Sequence, residues 1–130
     1  VNWWEDYGIE LPGDCMVFGT KKARVATRQV VELAKKIGGQ FEVVGLAAAK
    51  KNAEWKPSTD FLRTFPPAKR VVNVSREEAE KFVRGRDLEK KAGRGFVAVK
   101  TNGIVVGCGF ARGKAIESKV PKSSCLKQGI

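Results

Sequence analysis

Two short loops carry most of the residues in this chain that could engage a ligand. The first runs Arg84-Gly85-Arg86-Asp87-Leu88-Glu89-Lys90-Lys91-Ala92-Gly93-Arg94-Gly95, and the second is Arg112-Gly113-Lys114. Arginine forks bind phosphate through paired hydrogen bonds, and glycines let a phosphate reach backbone N–H groups. Arg84, Gly85, Arg86, Arg94, Arg112 and Lys114 are therefore candidate polyanion-binding residues, followed by Lys119 and Lys122 around Pro121. The charge distribution points the same way. Residues 1–67 hold ten basic and eight acidic side chains, whereas residues 68–130 hold fifteen and six. A net charge of +11 concentrated in one half fits a nucleic acid partner for that half.

Other chemistries are poorly supplied. Histidine is absent, which removes the commonest general base and metal ligand and any Cys–His pair. Cys15, Cys108 and Cys125 are odd in number and form no CxxC pair, so neither a disulfide framework nor a zinc site is expected, and a reducing compartment is. Gly107-x-Gly109-x-x-x-Gly113-Lys114 fits no nucleotide motif. A Walker loop needs Ser or Thr after the lysine, where Ala115 stands, and a dinucleotide fingerprint needs a small residue where Arg112 stands. Paired carboxylates occur only at Glu77, Glu78 and Glu80, where a helix start explains them. No catalytic residue, metal or cofactor is expected.

No apolar run reaches membrane-spanning length and no basic-then-apolar leader opens the chain, so a soluble, cytoplasmic protein is expected. Beginning at Val1 rather than Met, the chain reads as trimmed or cut from something longer.

The loops are positioned by a hairpin. Asn102-Gly103 between two β-branched runs predicts a two-residue turn, because both residues tolerate positive φ. Counting back from that turn pairs Thr101 with Ile104, Val99 with Val106, Val97 with Cys108 and Gly95 with Phe110. One face, Val97, Val99, Thr101, Ile104, Val106, Cys108 and Phe110, is then expected to meet a core. The other is flattened by Gly107 and Gly109, for a barrel corner, a packed helix or an approaching ligand backbone. This register draws Arg84, Arg86, Arg94, Arg112 and Lys114 together at the open end of the ribbon.

Upstream, Ser75-Arg-Glu-Glu78 predicts a capped helix through Phe82 and Val83, with Gly85 just past its end. Val71–Val74 reads as a strand. In the first half, strands are expected at Cys15–Phe18, Ala23–Val25 and Phe41–Ala49, with a bulge at Gly45. Val30, Leu33, Ala34 and Ile37 mark the apolar stripe of a helix closed by Gly38-Gly39. A short helix carrying Phe61, Leu62 and Phe65 inward ends at Pro66-Pro67, the expected boundary between domains 1–67 and 68–130. The aromatic, acidic opening Trp3-Trp4-Glu5-Asp6-Tyr7 is expected to pack inward, and a last short strand is expected near Ser124–Leu126.

The second half, from the capped helix through Arg84-Gly-Arg-Asp-Leu88 to Gly95-Phe-Val-Ala-Val, Asn-Gly and Ile104-Val-Val-Gly-Cys-Gly109, resembles a PUA domain. In the first half, Val44-Gly45-Leu46 and Trp55-Lys-Pro-Ser58 are similar to the small α/β segment that precedes this domain in two groups. These are the Sun/Fmu RNA cytosine-5 methyltransferases and the Nip ribosome-biogenesis factors, and Lys119-Val-Pro-Lys122 favours the former. The resemblance implies an α+β fold, a small α/β segment followed by a mixed β pseudo-barrel. It also implies a grip on structured ribosomal or transfer RNA through Arg84, Gly85, Arg86 and Arg94, with Arg112 and Lys114 beside them. The methyltransferase's catalytic part has no counterpart here, so an accessory in RNA modification or ribosome assembly is expected rather than an enzyme. A separate RNA-modifying enzyme or pre-ribosome proteins are the further partners that the resemblance allows. The alternative is a protein-interaction adaptor whose basic half docks on an acidic protein.

Overall fold

A computed structural model describes residues 2–37 and 45–120 of the chain. It consists of two four-stranded sheets with a few short helices, an α+β arrangement. The first sheet is an antiparallel meander of β1 (Cys15–Phe18), β2 (Lys22–Thr27), β3 (Leu46–Lys51) and β4 (Trp55–Pro57). The second is mixed, in the order β5 (Val71–Asn73), β6 (Gly93–Thr101), β7 (Ile104–Gly113) and β8 (Ile116–Ser118), with β5 parallel to β6.

Local chemistry sets the helix starts. Thr27, Ser58 and Ser75 each cap a helix by accepting an amide N–H three residues on: α1 (Arg28–Lys36), α2 (Thr59–Thr64) and α3 (Arg76–Val83). At α3 the cap is reciprocal. The Glu78 amide donates to Ser75 Oγ at 3.1 Å and the Ser75 amide donates to Glu78 Oε1 at 3.0 Å. Gly85 follows in the left-handed conformation at φ 85°.

α1 departs from its expected orientation. Val31 and Ala34 are buried, whereas Val30, Leu33 and Ile37 are 43%, 58% and 73% exposed. The helix is nine residues long and seats one narrow line on β2, so the neighbouring apolar stripe is turned outward. Its expected glycine cap, and the start of the strand expected at Phe41, lie outside the described residues. So does the strand expected near Ser124.

The hairpin also differs from simple counting. Asn102 and Gly103 take positive φ, and Thr101 faces Ile104 as expected. A bulge then leaves Val106 unpaired, so Val99 faces Gly107, Ala98 faces Cys108, Phe96 faces Phe110 and Gly95 faces Ala111. Arg63 of α2 binds the bulge, donating to the Val105 carbonyl at 3.3 Å and the Val106 carbonyl at 2.7 Å. Past the bulge every β7 side chain changes face relative to the count.

As a result both faces of the ribbon are covered. Ala98, Val105 and Cys108 join a core with Trp3, Tyr7, Ala23, Ala48, Phe61 and Leu62 from the first half. Val97, Val99 and Ala111 join a second core with Phe82, Leu88 and Ile116. Gly107 and Gly109 belong to the packed-helix reading. A Cβ on Gly107 would lie 2.7 Å from Val120 Cγ2, one on Gly109 would lie 2.6 Å from Ile116 Cγ2, and both would lie 3.2 Å from the Phe82 ring. Helix α3 therefore occupies the flattened surface, and no ligand backbone approaches there.

Candidate nucleic-acid interface

The open end of the hairpin sets Arg94 directly opposite Arg112, with Gly93 opposite Gly113. Like charges facing across a ladder destabilise it, so this pairing needs an offset. Glu117 on β8 supplies one. Arg112 Nε donates to its Oε2 at 3.0 Å and Nη2 donates to the same oxygen, while Lys119 Nζ donates to Oε1 at 2.8 Å. These hydrogen bonds, Lys119's first, hold the Glu117 carboxyl below its ordinary range. Arg94 has no acidic partner among the described residues.

The loop after α3 reaches the same strand from the other side. Ser118 Oγ donates to the Phe82 carbonyl at 2.9 Å, and the Ser118 amide donates to Asp87 Oδ1 at 3.2 Å. Leu88 and Ile116 exchange both backbone hydrogen bonds. Arg84 and Arg86, both exposed, stand in the loop that these bonds tie to β8. Lys114 is exposed in the turn after Arg112. Arg84, Gly85, Arg86 and Lys114 thus lie in the two loops that flank β8, and Arg94, Arg112, Glu117 and Lys119 form one set linked by strand pairing and ion pairs. Within it, Lys119 is half-buried and committed to Glu117, and Lys122 lies outside the described residues. The expected Gly95–Phe110 pairing is replaced by Gly95–Ala111, and the same one-residue shift sets Arg94 opposite Arg112.

Sequence reasoning missed three contributors. Phe96 and Phe110, opposite each other on the Arg94–Arg112 face, meet edge to face at 4.9 Å, with the Arg112 guanidinium 5.7 Å over Phe110. Aromatic rings thus sit among the cations. Arg70 is the third. Its backbone is left-handed at φ 54°, its carbonyl accepts the Ala98 amide at 2.8 Å, and its guanidinium lies 5.2 Å from the Tyr7 ring centre. Burial raises the Tyr7 hydroxyl well above its ordinary value, so it stays protonated beside that cation. Arg70, Lys91, Arg94 and Phe96 line a cleft of about 400 Å³. Finding the aromatic pair from sequence requires the bulge, which brings Phe96 opposite Phe110.

No group of metal-ligating side chains occurs among the described residues, nor does a helix long and apolar enough to cross a membrane. The Cys108 thiol is buried and pushed up to about 12 by desolvation, far from a reactive thiolate.

No curated protein matches the chain. Residues 69–124 match the family described as the methyltransferase RsmF PUA domain, the Sun/Fmu type to which the sequence bears its resemblance. PUA domains are RNA-binding modules, and the match supports that role for the basic half. The chain thus contains a PUA domain similar to that of methyltransferase RsmF, preceded by a small α/β segment.

Proposed function

We propose that the chain is a non-catalytic RNA-binding accessory that grips structured ribosomal or transfer RNA during RNA modification or ribosome assembly. Arg84, Gly85, Arg86, Arg94, Arg112 and Lys114 contact its backbone, and Lys119 and Lys122 add to its attraction. The observation that carries this reading is the Arg94–Arg112 pair. Two arginines held face to face cost stability in the free protein, and a phosphate placed near them offsets that cost. Among the described residues, only Arg112 of the two has a carboxylate partner.

The test is filter binding of transfer RNA, ribosomal RNA and duplex DNA to the chain and to the Arg84→Glu/Arg86→Glu double variant. Both side chains are exposed, so the variant should melt with the parent while losing RNA binding. Raising salt from about 50 to about 200 mM should weaken the parent steeply, since cation–phosphate contacts release counterions. Unchanged affinity in the variant would remove Arg84 and Arg86 from the interface. A flat salt response would favour an acidic protein as the partner.

A further inference from the structure

The face carrying Arg94 and Arg112 has features that phosphate binding alone does not use. Phe110 belongs to neither buried core and is only half-buried, with Phe96 and the Arg112 guanidinium against its ring. Lining a cleft with Phe96, Arg70 is held in a backbone conformation that a non-glycine residue rarely adopts. Such strain persists only where surrounding contacts impose it, and here they do. The Ala68 and Lys69 amides both donate to the Tyr7 carbonyl at 2.9 Å, the Ala98 amide donates to the Arg70 carbonyl, and the guanidinium rests on Tyr7. The result fixes a cation at the mouth of the cleft that Lys91, Arg94 and Phe96 share.

This edge of the sheet is also open. β5 begins at Val71, opposite Ala98, so among the described residues β6 has no strand neighbour on that side before Ala98. Amides alternate edges along a strand, and Ala98 directs its own toward β5, so Phe96 directs its amide to the same uncovered edge. One carboxylate belongs to this neighbourhood: a Cβ on Gly95 would lie 3.9 Å from Glu54 Oε1 and 4.0 Å from Arg70 Nη1. Against it stand Arg70, Lys91 and Arg94, and the balance is cationic.

We propose that this junction of the two halves receives one unpaired nucleotide of the bound RNA, its base stacked on the Phe96–Phe110 pair and its phosphate between Arg70 and Arg94. The inference rests on the RNA-binding reading and narrows it from structured RNA in general to an RNA with an exposed single-stranded base. Every base offers a π face, so the site is tolerant of sequence. A base locked in a duplex cannot reach half-buried rings, so it selects against continuous helix.

The test uses the whole chain with a single-stranded RNA of about ten nucleotides carrying a central 2-aminopurine, and the same strand annealed into a duplex. Saturation with the parent should quench the single-strand fluorescence, as aromatic stacking does. Phe110→Leu should weaken single-strand binding roughly ten- to hundredfold, abolish the quenching and cost duplex affinity far less. Phe110→Tyr, which keeps a stacking ring, should restore both signals. Equal losses on single strand and duplex, or none on either, would overturn the proposal. Unquenched fluorescence with saturated parent would do so whether or not Phe110→Leu folds. A parent that binds neither RNA would instead remove the RNA-binding reading itself, and this proposal with it.

Discussion

The Thr59 hydroxyl accepts the Cys108 amide N–H at 3.3 Å, a buried hydrogen bond joining α2 to β7 across 49 residues of sequence. β8 pairs with β7 only as far as Ser118 opposite Gly109, so the ladder ends before it reaches the Cys108 N–H. A side chain from the first half takes that place. Thr59→Val keeps the volume and strands the amide, which should cost about 1–3 kcal/mol. Thr59→Ser keeps the acceptor and should lose less. Urea unfolding of the two variants checks this, and a valine variant as stable as the serine one would show that the bond contributes nothing.

The packed glycines predict an asymmetric alanine scan. Gly107→Ala drives a methyl against Val120 and Phe82, and Gly109→Ala drives one against Ile116, Phe82 and the Glu117 carbonyl. Each should destabilise by about 1–3 kcal/mol through overpacking. A methyl on Gly13 would meet nothing within 4 Å, and the backbone there is not left-handed. Gly13→Ala should therefore be neutral or stabilise by up to about 1 kcal/mol. Thermal melts of the three variants measure the contrast, and equal shifts would refute the packing account.

Acid should loosen the second half first. Glu117 is held below its ordinary range by Lys119 and Arg112, and Glu78 by the Ser75 amide and then Lys90. Carboxyls depressed in the folded state stabilise it fully above their unfolded values. That contribution is lost as the pH falls through the folded ones. Melting temperature should thus decline on the acid side of the ordinary glutamate range. Glu117→Gln should be less stable than the parent at neutral pH and show a shallower acid decline. Parallel curves for variant and parent would contradict the role given to Glu117.

Cysteine labelling separates the two described thiols. Cys15 is half-buried, whereas Cys108 is buried and its thiol is kept protonated by desolvation. Iodoacetamide at about pH 8 should modify Cys15 in the folded chain and leave Cys108 intact, with both modified in denaturant. Peptide mapping reads this directly, and native labelling of Cys108 at the denatured rate would place it outside the core.

Whatever depends on near neighbours is legible in the sequence. Ser75 and Glu78 announce their helix because each supplies the other's missing partner within one turn, and Asn102-Gly103 announces its turn by backbone tolerance alone. The basic loops are equally visible as composition. The bulge at Val106 is not, because it is stabilised by Arg63, more than forty residues away. Without the bulge, counting misassigns the face of every later β7 residue, and the Phe96–Phe110 pair stays hidden. The rotation of α1 escapes for a similar reason. Val30, Leu33 and Ile37 match a buried stripe as well as Val31 and Ala34 do, and only the position of β2 decides between them. Arg70 gives no signal at all, since nothing in its neighbours requires positive φ.

The ribbon walled in on both sides carries a consequence for how such a chain can change over generations. At Val97, Ala98 and Val99, successive residues answer to different cores, so no position there drifts freely. A larger residue at Ala98 must be met by a smaller one among Phe61, Leu62 or their neighbours, and one at Val97 by a change near Phe82. The two halves therefore inherit their substitutions as matched sets, and grafting either onto a stranger would leave one wall of the ribbon without its mate.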